Sequence, residues 1–230
     1  MAGNLTNIPF EHVSIGGGVG DTEELNGAAG SAYTENTNLL VVDNAGNQSP
    51  RFTEIRAEDG QIKPHLVVKN KASVNITGAS EKIVLRNITF DPDSRINFQA
   101  STDNLTLTFD QKVELGTEAG LSVEGPRVLN IHLSQNSSIG NLKTDAELLT
   151  ISSTSSLSMK GAIKLASGKN TRLVTNIENG ALSIEDFKAE ASRVMMYAPD
   201  GINIRNSTIS STDRSSCQQK AHAFECIAHN

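Results

Sequence analysis

The sequence contains no tryptophan, only two tyrosines and seven phenylalanines, so aromatic residues make up 4% of its 230 positions. This scarcity weakens two functional classes together, because sugar-binding clefts use aromatic platforms and single-stranded nucleic-acid grooves stack bases on them. Clustered positive charge is missing too. The net charge is −6 and the pI about 5.4, with Lys and Arg scattered singly, as in "IVLRNITF" and "LSMKGAIKL". Nonspecific binding to nucleic acid or anionic lipid needs such clusters, so neither is an expected partner. No window approaches the ~20 apolar residues of a membrane span, and membrane insertion is not expected. The opening "MAGNLTNIPFEHVS" has neither the basic nor the apolar region of a secretory signal. The expectation is a soluble chain, with the cytoplasm left open as its compartment. Its two cysteines are too few to fix the redox environment.

Short, alternating apolar stretches are abundant instead. Residues 1–65 read as a loop-rich N-terminal arm with the first strands, "NLLVV", "RFTEI" and "HLVV", near its end. Within it, "IGGGVG" lacks the Lys-Ser/Thr pair of a phosphate loop and the G-x-G-x-x-G spacing, so it reads as a flexible turn. From residue 73 onward, strands follow one another about every nine or ten residues, too closely for intervening helices. In "LTLTF", Leu105, Leu107 and Phe109 alternate with threonines, and Leu129, Ile131 and Leu133 repeat the pattern with Asn130 and His132 turned outward. Related positions recur near twenty residues: Ile131 with Ile151, Ile184 with Ile204, and Ile88 with Leu107 at nineteen. Such a period predicts a repeat in which each coil adds one rung.

The expected fold is therefore all-β: a right-handed parallel β-helix over 66–210, with a C-terminal cap at 211–230. At about twenty residues per coil, the stretch 73–209 makes roughly seven coils, each rising ~4.8 Å. A β-sandwich or jelly roll is the alternative, but few Asn-Gly or Asp-Gly pairs are flanked by long alternating runs. The rungs "NITF" and "NLTL" resemble those of parallel β-helix proteins of bacterial surfaces and phages, namely autotransporter passenger domains and haemagglutinin-type adhesins. The resemblance covers about 66–210 and is one of pattern. It implies an elongated rod in a secreted, cell-surface or virion setting and transfers no site.

Three features invite a chemical reading. Asn precedes x-Ser/Thr at Asn4, Asn47, Asn75, Asn87, Asn104, Asn136 and Asn206. These are glycosylation acceptors in a eukaryotic secretory protein, but Asn also suits corners entering a rung and ladders along successive coils. Asp91, Asp93 and Asp110, with Arg95 nearby, form the one acidic grouping that resembles the metal-binding or acid–base face of β-helix polysaccharide lyases and hydrolases. The polygalacturonase motif set is absent, and turn carboxylates are ordinarily solvated. The tail "SSCQQKAHAFECIAHN" carries Cys217, His222, Cys226 and His229. A helical tail places His222, Cys226 and His229 on one face and separates Cys217 from Cys226 by about 13 Å, too far for a disulfide. A Cys217–Cys226 disulfide requires the segment to turn back on itself. In either case the tail suits a cap over the last coil. The spacing matches no familiar zinc pattern, and neither a metal nor a cofactor is expected.

The expected function is a non-enzymatic structural, adhesive or effector-binding module, with a protein partner or self-association and carbohydrate as a further ligand class. The alternatives are a polysaccharide-degrading enzyme using Asp91, Asp93 and Arg95, and a scaffold stacking end to end like bactofilin-type β-helices.

Overall fold

A computed structural model describes residues 18, 20, 26–57, 59–86, 88–91, 93–115, 120–166, 170–211, 215–220 and 222–228, with backbone alone at 90, 115, 215–220 and 225–228. After β1 (Gly30–Thr34), the first coil is β2 (Leu39–Asp43), β3 (Thr53–Arg56) and β4 (Gln61–Ile62). The second is β5 (His65–Lys69), β6 (Ser73–Gly78) and β7 (Lys82–Leu85), and the third β8 (Ile88–Phe90), β9 (Arg95–Ala100) and β10 (Asn104–Phe109). Then come β11 (Glu114–Leu115), β12 (Leu121–Glu124) and β13 (Val128–Leu133), followed by β14 (Ser137–Ile139), β15 (Leu142–Thr144) and β16 (Leu148–Ser153). In the next two coils one bent strand serves two faces, giving β17 (Leu157–Lys164) with β18 (Arg172–Ile177), then β19 (Leu182–Ala191) with β20 (Arg193–Tyr197). The chain ends in β21 (Ile202–Arg205), β22 (Thr208–Ser211), β23 (Ser215–Lys220) and β24 (Ala223–Ala228).

Like strands of successive coils pair in parallel, forming a β-solenoid of about seven turns. The third strand of each coil builds a nine-stranded sheet running from β4 through β7, β10, β13, β16, β18 and β20 to β24 and β23. The second strands, joined from β11 onward by the first strands, form an eleven-stranded path, while β1, β2, β5 and β8 make a sheet of four. Period-two alternation is the cause. In β10, β13 and β16 every second residue is buried, and the inward residues stack on their counterparts. Ile83, Leu107, Ile131 and Ile151 form one such column, each 0% exposed. Each aliphatic side chain so buried contributes about 1.5–3 kcal/mol relative to exposure.

Coil length varies, which corrects two expectations. Ile131 does stack on Ile151 and Ile184 on Ile204, but Leu107 stacks on Ile83 and Ile131, while Ile88 pairs with Leu66. Loops of different length separate the rungs, so a fixed spacing misassigns partners. The parallel stack also begins earlier than residue 66: Leu39 already pairs with His65, and Thr53 with Val74. A long excursion between β2 and β3 hid that first coil. Among the described residues of the arm's glycine run, Gly18 accepts a hydrogen bond from Gly27 N at 2.8 Å, and the rest of "IGGGVG" lies outside them except Gly20.

Asparagines do occupy left-handed corners, at Asn38, Asn70 and Asn206 (φ 48°, 55° and 48°). Of the Asn-x-Ser/Thr positions, Asn206 is one of these, Asn75 is instead mid-strand, and Asn4 and Asn87 lie outside the described residues. At each end of the solenoid one sheet reverses direction: β1 is antiparallel to β2, β24 is antiparallel to β20, and β23 is antiparallel to β24. The tail is thus a hairpin rather than a helix, because pairing with the otherwise open edge of β20 satisfies backbone groups that a helix would leave exposed.

Candidate interaction face

The residues that alternate with the core columns of the nine-stranded sheet point outward and form columns of their own. Thr106, Asn130, Thr150, Val174 and Met195 stand in one register row; Thr108, His132, Ser152, Asn176 and Tyr197 stand in the next. Toward the N-terminal coils the face is small and polar, and His132 Nδ1 shares a hydrogen bond of 2.9 Å with Ser152 Oγ. Toward the C-terminal coils it becomes larger and more apolar as Thr150 gives way to Val174 and Met195, and Ser152 to Asn176 and Tyr197. There the face opens into a groove of about 410 Å³ lined by Thr150, Val174, Asn176, Met195, Tyr197 and Ala223, with Thr175, Met196 and Phe224 between them. Tyr197 is 48% exposed, and the other large exposed hydrophobic side chains among the described residues, Tyr33 and Phe52, lie at the opposite end. The exposed side chains of Arg172 and Arg193, register partners, flank the groove. Among the described residues its lining carries no carboxylate, imidazole or thiol. What these residues offer is apolar contact, aromatic packing and neutral hydrogen bonding.

The sequence did not single out these groove residues. The usable signal was "RVMMY", in which one of only two tyrosines alternates outward beside Met195.

The acidic residues take a different role. Asp91 follows β8, Asp93 lies in the turn before β9, and Asp110 follows β10. Asp91 N donates to Val68 O at 3.0 Å, its Oδ2 accepts from Asn70 N at 3.0 Å, and its O accepts from Ser94 N at 3.0 Å. Asp110 N donates to Leu85 O at 3.1 Å. Each backbone thus continues the ladder around a corner, on two different sheets. Among the described residues no group of three or more His, Cys, Asp or Glu side chains is placed to hold a metal. Arg95 opens β9, where its N donates to Ala72 O at 2.9 Å.

At the neighbouring corner Asp43 is buried and well partnered. Its Oδ1 accepts from Ala45 N at 2.7 Å and Asn70 Nδ2 at 2.8 Å, and its Oδ2 lies 3.2 Å from Lys69 Nζ. Burial, the largest single influence, raises its pKa, but the Asn70, Ala45 and Lys69 hydrogen bonds and the Lys69 charge together outweigh it and hold the carboxyl below its usual range.

A polar ladder runs across the eleven-stranded sheet. Asn75 Nδ2 donates to the Glu54 carboxylate (3.0 Å to each oxygen), Asn97 Nδ2 donates to Asn75 Oδ1 at 2.9 Å, and Ser122 Oγ donates to Asn97 Oδ1 at 2.7 Å. Beside it lies a second, polar hollow of about 420 Å³ lined by Arg56, Thr77, Gln99, Ser101 and neighbours.

In the tail, the register sets Cys217 opposite Cys226, and Cys226 opposite Val194. The three-ligand helical face does not form: His222 is exposed at the hairpin turn, where its O accepts from Ala198 N at 3.1 Å, and His229 lies outside the described residues. No family model, curated protein or solved structure matches this chain.

Proposed function

We propose that the chain is a non-enzymatic binding module, a β-helix rod that presents the outer face of its nine-stranded sheet to an extended protein segment, seated in the groove beside the C-terminal hairpin. The observation that carries this reading is the groove itself. Thr150, Val174 and Met195 lie on successive rungs about 4.8 Å apart, a continuous row along which an extended chain lays the side chains of one face. Tyr197 at its rim supplies large contact area at small conformational cost. The described lining, which offers a phenol, hydroxyls, an amide and apolar side chains, favours recognition over acid–base chemistry. The secreted, surface or virion setting belongs to the same proposal, as do the adhesive, effector or assembly roles.

The polysaccharide-degrading alternative gains nothing from the corner roles of Asp91, Asp93 and Asp110. End-to-end stacking loses the four-stranded sheet's edge to β1 and the nine-stranded sheet's edge to β24, since a continuing parallel ladder needs parallel edges there, and keeps only the edges of the eleven-stranded sheet.

The test places a photo-crosslinking phenylalanine derivative at Tyr197, with a second probe at Ser101 as the control position, and follows partner capture in Val174→Lys and Met195→Lys backgrounds. Both substitutions alter outward positions and leave the core columns intact. A partner captured from Tyr197 and weakened about tenfold or more by either lysine is expected. Capture that is equal from both probes, or indifferent to the lysines, sinks the proposal.

A further inference from the structure

The last parallel strand of the nine-stranded sheet, β20, receives β24 antiparallel along its edge, and β24 receives β23 in turn. Two ladders thereby put Val194, Cys226 and Cys217 in one row across three strands. Residues directly opposite in an antiparallel pair have Cα atoms about 4.5–5.5 Å apart, inside the roughly 4.4–6.8 Å range that a disulfide spans. These are the chain's two cysteines. A slip of one residue in either strand would destroy the alignment.

We propose that Cys217 and Cys226 form a cross-strand disulfide that staples the C-terminal hairpin. The need for a staple follows from composition. A two-stranded hairpin is marginal by itself, and of its two strands β24 is the one that pairs with the solenoid, at β20. The outer strand reads Ser215, Ser216, Cys217, Gln218, Gln219, Lys220, so apart from the cysteine it brings no apolar side chain. A covalent link does there what burial does in the coils. The reaction takes two thiols to one Sγ–Sγ bond. Two electrons pass to a disulfide-class oxidant such as oxidised glutathione, whose own S–S bond breaks, and the two protons end on the two thiols it releases. Closing a loop of this length disfavours hairpin opening by about a hundred-fold. Because Ala223 and Phe224 line the groove, the staple also holds one of its walls, a consequence that rests on the binding reading above, whereas the disulfide does not.

The experiment equilibrates the full chain with excess oxidised glutathione, or with a phosphine reductant, then measures intact mass, maps crosslinked peptides and follows amide hydrogen exchange. Expected are loss of two hydrogen masses in a monomer, a Cys217–Cys226 crosslinked peptide, and hairpin amides exchanging about a hundred-fold more slowly when oxidised. Amides around Ile131 and Ile151 should exchange alike in both states, which separates hairpin opening from global unfolding. Cys217→Ser should behave as the reduced protein does in either buffer. Two alkylatable thiols after oxidation, or crosslinks only between chains, overturn the disulfide. An oxidised hairpin that exchanges as fast as the reduced one overturns its role as a staple, and no partner is needed to read either result.

Discussion

Asn97 donates its side-chain amide to the side-chain carbonyl of Asn75 on the preceding coil, 2.9 Å away, and both side chains are buried on what alternation makes the outer side of the sheet. Asn75 in turn holds the Glu54 carboxylate. Removing Asn75 therefore takes a partner from Asn97, Glu54 and Gln99.

Asn75→Ala should lower stability by about 1–3 kcal/mol, the cost of stranding buried hydrogen-bonding groups. Asn75→Asp should cost more, since it sets a second carboxylate against Glu54. Urea titrations of both variants check this, and an Asn75→Ala midpoint equal to that of the wild type would show the ladder to be ornamental. The same geometry predicts that Asn75, despite its Asn-x-Thr context, carries no glycan when the protein passes through a eukaryotic secretory pathway.

Thr175 interrupts an apolar column, lying between Ile151 and Met196 with its Oγ1 buried and without a hydrogen-bond partner among the described residues. Burying an unpaired hydroxyl is unfavourable. Thr175→Val keeps the shape and removes that cost, so it should stabilise the protein by about 1 kcal/mol. Thermal melts give the answer, and a lower melting temperature would show that the hydroxyl is satisfied.

The solenoid was legible because its cause is local: alternation in "LTLTF" and "VLNIHL" names the inward residues, and those residues are the stacked ones. Partner assignment was not legible where loops change coil length, as Ile88 and Leu107 show. Groove residues escaped notice for a related reason. Val174, Met195 and Tyr197 are distant in sequence and meet only once register is known, and an outward apolar residue on a strand carries no mark of its own. The tail was half legible: the disulfide and the helical ligand face were mutually exclusive in advance, but the edge of β20 that decides for the hairpin is a property of the assembled sheet.

Gly125 turns the corner after β12 with φ 105°, and a Cβ built there would lie 2.2 Å from Ala100 O on the preceding coil. Positive φ strains any L side chain, and here the obstacle is backbone that cannot rotate away. Gly125→Ala should therefore destabilise by several kcal/mol, about 1–3 from conformational strain alone, with the clash added. The control is Gly120→Ala, where a Cβ meets nothing within 4 Å. Equal losses in the two variants would refute the argument.

Asp43 makes stability depend on pH, and the sign follows from its partners. Hydrogen bonds from Ala45 and Asn70, with the Lys69 ammonium, favour the carboxylate over the acid and lower its folded-state pKa despite burial. A carboxyl lowered on folding contributes stability that is fully present above its unfolded value of about 3.9 and is lost as pH falls through the folded value. Asp43→Asn should accordingly be less stable than the wild type at neutral pH by about 1.5–3 kcal/mol, the range for hydrogen bonds to a charged group. As pH drops below about 4, the wild type loses the advantage while the variant has none to lose, so the two stability curves converge. Denaturant midpoints measured for both proteins between neutral and acid pH test this directly; a difference that stays constant across the range would mean that the charge of Asp43 does not hold this corner.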